Sequence, residues 1–201
     1  MPSLPAVETY LASLPAGIDS YPEIVVKASV LAIFKNHIAM PDLVHQAPPQ
    51  AARLLTDATT VTSWVPEVHF NVLAAAFYDL VFRDRGGFAA LEGWATDQNV
   101  KLLGNPLYRV LFAAIGPKRL IHSVSVRWSV FRRGTALAVV RAAAKEVEVE
   151  LTFPKRLEPP TTLYAFSGVF RAAMRIARVD AVSVTLTDER ETSARWQIAW
   201  R

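Results

Sequence analysis

The chain has 201 residues, a formal net charge of +4, 52% hydrophobic and 20% charged side chains, and no cysteine. That length suits one domain, and the composition excludes a disordered chain. The missing cysteines exclude disulfides, thiolate nucleophiles, Cys-ligated zinc and iron–sulfur clusters.

No stretch approaches the roughly 18 uninterrupted apolar residues of a membrane span. The first basic residue is Lys27, so no cationic leader region precedes an apolar one, and the chain reads as cytoplasmic. Charge is unevenly placed. Residues 1–100 carry 5 basic and 10 acidic side chains, and residues 101–201 carry 17 and 8. Seven basic residues and no acidic one lie between Lys101 and Arg133. The split predicts two halves that attract each other within the fold, the alternative being an acidic partner.

In chain order, the prolines of residues 1–62 limit helices to short pieces: Val7–Leu14, a segment around Ser29–His37, and one opened by Pro48-Pro49. Ser63 and Pro66 then suit the start of a longer helix in which Phe70, Leu73, Phe77 and Leu80 form one apolar stripe. Glu67 in its first turn suits the helix dipole. Further helices are predicted from Phe88 to Leu102 and from Leu107 to Ile115, followed by a basic segment, Lys118–Trp128.

After Gly134 the period changes to two. Val147, Val149, Leu151 and Phe153 alternate with Glu146, Glu148 and Glu150, which predicts a strand with its acids in water and Thr135–Val140 as its hairpin partner. Thr161-Thr162 is positioned to cap a helix with Phe166, Phe170 and Met174 on one face and Arg171, Arg175 and Arg178 on the solvent side. Val182, Val184 and Leu186, a turn at Asp188-Glu189-Arg190, and Trp196, Ile198 and Trp200 make a second strand pair. The fold class is therefore α+β, a helical N-terminal half packed on a small antiparallel sheet of two strand pairs separated by a helix. It is read as one domain over 1–201: a Pro-rich lead-in (1–62), a helical part (63–133), and a sheet plus helix (134–201).

Chemistry-bearing motifs are sparse. His37, His45, His69 and His122 match no metal-ligand spacing, and no nucleophile elbow, H-E-x-x-H, phosphate loop or dinucleotide fingerprint occurs. No catalytic residue and no metal site are predicted. Trp64, Phe70, Phe77, Phe112, Trp128, Phe166 and Phe170 are numerous enough to line an apolar pocket between helices and sheet, against the plainer reading of a filled core. Lys118, Arg119, Arg127, Arg132 and Arg133, interleaved with Trp128 and Phe131, form a candidate patch for an anionic partner. Nucleic acid is the lesser reading of that patch, since no recognised nucleic-acid motif accompanies it.

"WVPEVHFNVLAAAFYDLV" (Trp64–Val81), "GNPLYRVLFAAIGPKRLI" (Gly104–Ile121) and the aromatic strand "ARWQIAW" (Ala194–Trp200) resemble the haem–nitric-oxide-binding and vinyl-4-reductase superfamily, a ligand-binding fold also used by Golgi transport-complex subunits. With "VKASVLAIF" (Val26–Phe34) added, the chain is similar to a bacterial family of roughly this length that looks like a haem-free cousin of that fold. In haem-binding members a helix after the Gly-Pro break carries the histidine that holds the iron. Here Arg127 or Trp128 falls near that position, His122 lies earlier, and no Tyr-x-Ser-x-Arg propionate clamp is present. The resemblance thus implies a haem-free, non-enzymatic regulatory or adaptor protein that binds an apolar small molecule or a protein partner. The alternative it leaves is an interaction module with a filled core, acting as a homodimer or assembly subunit.

Overall fold

The computed structural model describes residues 3–106, 108, 117–179 and 181–201, with 117 and 118 by their backbone only. The predicted helix Leu107–Ile115 lies outside the described residues, apart from Tyr108.

The N-terminal half is a stack of short helices around one long one. Pro5–Ser13 (α1), Ala32–Lys35 (α2), Met40–Gln46 (α3) and Pro49–Thr56 (α4) lead to Glu67–Val81 (α5). Proline occupies the first turn of α1, α3 and α4, where its missing N–H costs nothing. The segment around Ser29–His37 is not one helix but a 3-10 turn, Ala28–Leu31, running into the single turn of α2. Ser63 does not cap α5. Trp64–Pro66 is a strand, Pro66 stands at the helix N-cap, and the Glu67 N–H donates to the Ile24 carbonyl (2.9 Å).

Gly87–Gly104 (α6) packs along Pro160–Ile176 (α9) more extensively than any other pair of helices among the described residues. The approach is close enough that a Cβ on Gly168 would lie 2.7 Å from the Glu92 carbonyl oxygen and 2.8 Å from the Thr96 nitrogen. Between them in sequence come Pro117–His122 (α7) and Val124–Phe131 (α8). Thr161 and Thr162 are buried inside the first turn of α9 rather than capping it, and Pro159 holds the cap position.

The two predicted strand pairs form one antiparallel sheet. Ala136–Ala142 (β4), Glu146–Thr152 (β5), Ser183–Glu189 (β6) and Ser193–Ala199 (β7) are ordered β4-β5-β7-β6. Val147, Val149, Leu151, Ala194, Trp196 and Ile198 face the core. On the outer face Glu146, Glu148 and Glu150 are not simply solvated but laddered with Arg141 and Arg195, at 2.5–3.8 Å. The turn falls at 190–192, two residues later than its sequence placement.

A second sheet has no counterpart in the sequence expectations. Val25–Lys27 (β1) pairs antiparallel with Trp64–Pro66 (β2) on one side and with Arg132–Arg133 (β3) on the other. The charge asymmetry is used internally: Arg132 reaches Glu67, Arg171 reaches Glu92, and Arg175 lies 3.7 Å from Asp97. The arginine side of α9 is therefore pinned to α6 at two points.

Candidate functional site

Strand alternation decides where the site's arginine goes. In the small sheet Val26 pairs with Val65 and with Arg132, so these three share the inner face. Lys27, Trp64 and Arg133 are one residue out of phase and share the outer face. There the Lys27 ammonium lies 4.4 Å and the Arg133 guanidinium 4.0 Å from the Trp64 ring centre. Trp64 is thus outside the apolar interior to which the sequence assigned it. Arg132 is likewise a correction: it is buried and is no part of a surface patch.

The Arg132 guanidinium sits among three rings, 4.5 Å from the centre of Phe166, 5.2 Å from Trp128 and 5.4 Å from Phe70. Two carboxylates hold it, Glu67 in direct ion contact and Glu158 at 3.8 Å, and both side chains are fully buried. Glu67, read from the sequence as a helix-dipole residue, is therefore half of an interior ion pair. Burial pulls the Arg132 pKa down to about 10, with Glu158 opposing the shift. Burial pushes the Glu158 carboxyl above the ordinary glutamate range, against the pull of Arg132 and the Asn71 amide.

Asn71, one turn beyond Glu67 on α5, extends the polar cluster. Its amide donates to the Leu157 carbonyl (2.9 Å), to Glu158 (3.2 Å) and towards the Tyr10 hydroxyl (3.3 Å). Its oxygen accepts from Thr162 (2.9 Å), while Tyr10 donates to Leu157 (2.6 Å), with burial raising the phenol far above its usual range. Four segments of chain meet at one side-chain amide.

Beside this cluster lies a cavity of ≈ 160 Å³ between the helices and the inner face of the four-stranded sheet. Phe34, Phe70, Phe77 and Trp94 line one end, Trp128, Phe166 and Phe170 the other, and Val147, Val149 and Ile198 form the floor. Arg132, Arg127, Asn99, Thr161 and Thr162 bring the polar groups. Trp128 donates to Thr135 (3.0 Å) and Trp196 to Ser167 (3.1 Å). By contrast, the Trp94 indole N–H and the Thr161 hydroxyl are buried without a hydrogen-bond partner among the described residues.

Of the seven aromatics singled out in the sequence, Phe70, Phe77, Trp128, Phe166 and Phe170 come together on this wall, Trp64 does not, and Phe112 lies outside the described residues. The sequence missed Phe34 and Trp94, which join Phe77 in an interlocked ring cluster with centroids 4.7–6.1 Å apart. Of the basic patch, Arg119 and Arg133 are exposed, Arg127 lines the cavity, and the Lys118 side chain lies outside the described residues.

His37 packs edge-on against Phe77 (4.7 Å), accepts from the Ala39 N–H (3.1 Å), and is pulled below its ordinary pKa by burial. His69 is lowered by burial too, with Asp19 opposing. Among the described residues no cluster of three or more His, Cys, Asp or Glu is arranged to hold a metal ion, and no helix is long and apolar enough to cross a membrane.

No family model matches the chain, and no curated protein does. Solved structures do. An oxygen-binding H-NOX domain related to soluble guanylate cyclases, in its oxygen complex, superposes with a TM-score of 0.60 at 12% identity, over 87% of this chain and 95% of that one. A mutant H-NOX from T. Tengcongensis gives 0.58 at 12%, covering 87% and 97%. A structure concerned with haem redox potential and porphyrin distortion gives 0.60 at 11%, covering 86% and 97%. The fold is that of H-NOX domains, as the sequence resemblance implied.

Proposed function

We propose that this chain is a non-enzymatic, haem-free regulatory domain that binds a small apolar molecule in the aromatic cavity. The observation that carries the reading is the cavity itself. At about 24 cal/mol per Å³, leaving ≈ 160 Å³ unfilled forgoes about 4 kcal/mol, a large part of a domain's net stability. A ligand there recovers that energy. An apolar cavity of about 150 Å³ accepts benzene or xenon, so the matching ligand has one ring or a short branched chain.

The described residues do not fit a porphyrin. No histidine, cysteine or tyrosine lines the cavity, and the one buried arginine on its wall is held by two carboxylates. Its volume also falls below the roughly 300 Å³ at which pockets begin to take drug-sized ligands. Regulation would work by differential affinity. A ligand favouring one packing of α2, α6 and α9 over another shifts the population between them, and a partner protein reads the shift.

Native mass spectrometry with a visible spectrum of the same sample tests the reading. Extra mass on the folded species, lost on denaturation and without a Soret band, supports it. A Soret band overturns the haem-free part. A clean apo mass, joined by failure of toluene to bind, overturns the cavity part.

A second reading rests on the outer face of the small sheet. Lys27 and Arg133 flank Trp64 there and make no ion pair among the described residues, so an acidic partner segment is the complementary surface. Reversal of both charges would abolish capture of such a partner and leave toluene binding intact.

A further inference from the structure

We propose that the cavity admits only uncharged ligands, because the protein has already occupied the cavity's own buried cation. The inference rests on the cavity being a binding site and specifies the chemistry it accepts.

An arginine on the wall of an apolar cavity is ordinarily an invitation to an acid. Here the invitation is withdrawn from within. Arg132 is held by Glu67 and Glu158, with both carboxylates buried, and the rings of Phe70, Trp128 and Phe166 stand 4.5–5.4 Å from its guanidinium carbon. The cluster holds two acids for one base. A ligand carboxylate would become a third acid on one guanidinium, and would have to displace Glu67 or Glu158 from it. Glu158 is also held by the Asn71 amide at 3.2 Å, which such a displacement would have to break.

An ammonium ligand fares no better. The group it meets on the wall is the guanidinium, and both carboxylates lie behind it; neither Glu67 nor Glu158 lines the cavity. Arg127, the other cation on the wall, is partly exposed and already has an interaction of its own. The neutral polar groups on the wall with capacity to spare are the Trp94 N–H and the Thr161 hydroxyl, whereas Arg132 already has its two carboxylates. A small arene matches the apolar lining, and one bearing a single neutral acceptor can in addition accept from the Trp94 N–H or the Thr161 hydroxyl.

The test uses the full chain and three probes of one shape: toluene, benzoate and benzylammonium at neutral pH. Binding is read by saturation-transfer NMR and by the shift of the thermal midpoint. Toluene is expected to saturate the protein, with each charged probe weaker by at least about tenfold, or about 1.4 kcal/mol. The double variant Glu67→Gln/Glu158→Gln releases Arg132, so benzoate should gain at least about tenfold while toluene is unchanged. Benzoate binding to the unaltered chain as tightly as toluene overturns the proposal, whether or not the double variant folds. No gain of benzoate in a folded double variant overturns it as well. Failure of all three probes on the unaltered chain brings down the cavity reading first, and this inference with it.

Discussion

Gly168 tests how closely α6 and α9 are packed, and it does so through the sign of an effect rather than its size alone. Gly168→Ala in the interior of a helix should gain about 0.8–1.0 kcal/mol from helix propensity. Against that, the new Cβ meets the Glu92 carbonyl oxygen at 2.7 Å, the Ala95 Cβ at 2.8 Å and the Thr96 nitrogen at 2.8 Å. Two of these are backbone atoms and cannot rotate aside. The helices must move apart, yet the Arg171–Glu92 pair and the Tyr164–Phe88 ring stack, at 4.4 Å, hold them together. Overpacking of this kind costs about 1–3 kcal/mol, and the rigid neighbours place it at the upper end, for a net loss of about 2 kcal/mol. Gly93→Ala is the control, since it adds the same methyl to α6 where nothing lies within 4 Å. It should gain about 0.5–1 kcal/mol. With about 2–4 °C per kcal/mol for a domain of this size, calorimetry should show Gly168→Ala melting about 4–8 °C lower and Gly93→Ala slightly higher. A Gly168→Ala protein as stable as Gly93→Ala would refute the close approach.

Further outcomes are expected at the interior ion cluster and the cavity. Arg132→Met leaves two buried carboxylates without their cation and should cost about 3–5 kcal/mol in urea unfolding, most of it regained when Glu67→Gln and Glu158→Gln are added. Because burial raises the Glu158 carboxyl above its unfolded value, its contribution to stability is complete below the unfolded glutamate range of about pH 4.3 and is lost as pH rises above it. Unfolding curves between pH 4 and 8 should therefore show the parent losing stability relative to Glu158→Gln as pH rises, and a flat difference would contradict the assignment. Phe77→Ala removes a fully buried ring from the cavity wall, with an expected cost of about 3–5 kcal/mol and an enlarged site that takes naphthalene where the parent takes only toluene. Calorimetric titration of both arenes checks the second half of that statement.

The elements that announced themselves in the sequence are those whose pattern runs long enough to have a period. Glu146–Phe153 alternates over eight positions, and Phe70, Leu73 and Phe77 recur over two helical turns, so face and element type follow together. The small three-stranded sheet offers no such run. Its strands are three, three and two residues long, and their partners are far apart in the chain. Arg132-Arg133 therefore looks like a basic surface, although adjacent residues of a strand point to opposite faces and one of the two had to turn inward. Glu67 was equally deceptive, because an acid in a first helical turn has an ordinary electrostatic explanation. The available signal was Asn71, four residues later on the same face, in a stretch otherwise apolar from Phe70 to Phe77. Two polar residues one turn apart on an apolar helix imply a buried polar partner. Only the fold shows that the partner comes from residues 132 and 158.

The convergence on Asn71 also sets a timetable for synthesis. Its side chain is satisfied by Leu157, Glu158 and Thr162, with Thr162 standing 91 positions downstream. At about 5–20 residues per second, a ribosome needs roughly 5–20 s to make that stretch. For most of that interval the Asn71 amide lacks Leu157, Glu158 and Thr162, the Glu67 carboxylate lacks Arg132 until that residue is made, and α1 cannot complete its Tyr10 contact with Leu157. The helical half is therefore translated before the sheet but completed only after the loop that follows β5 has been made. A nascent chain stalled before residue 157 should be held by chaperones, with α1 open to protease until the loop from Pro154 to Pro159 arrives to close it.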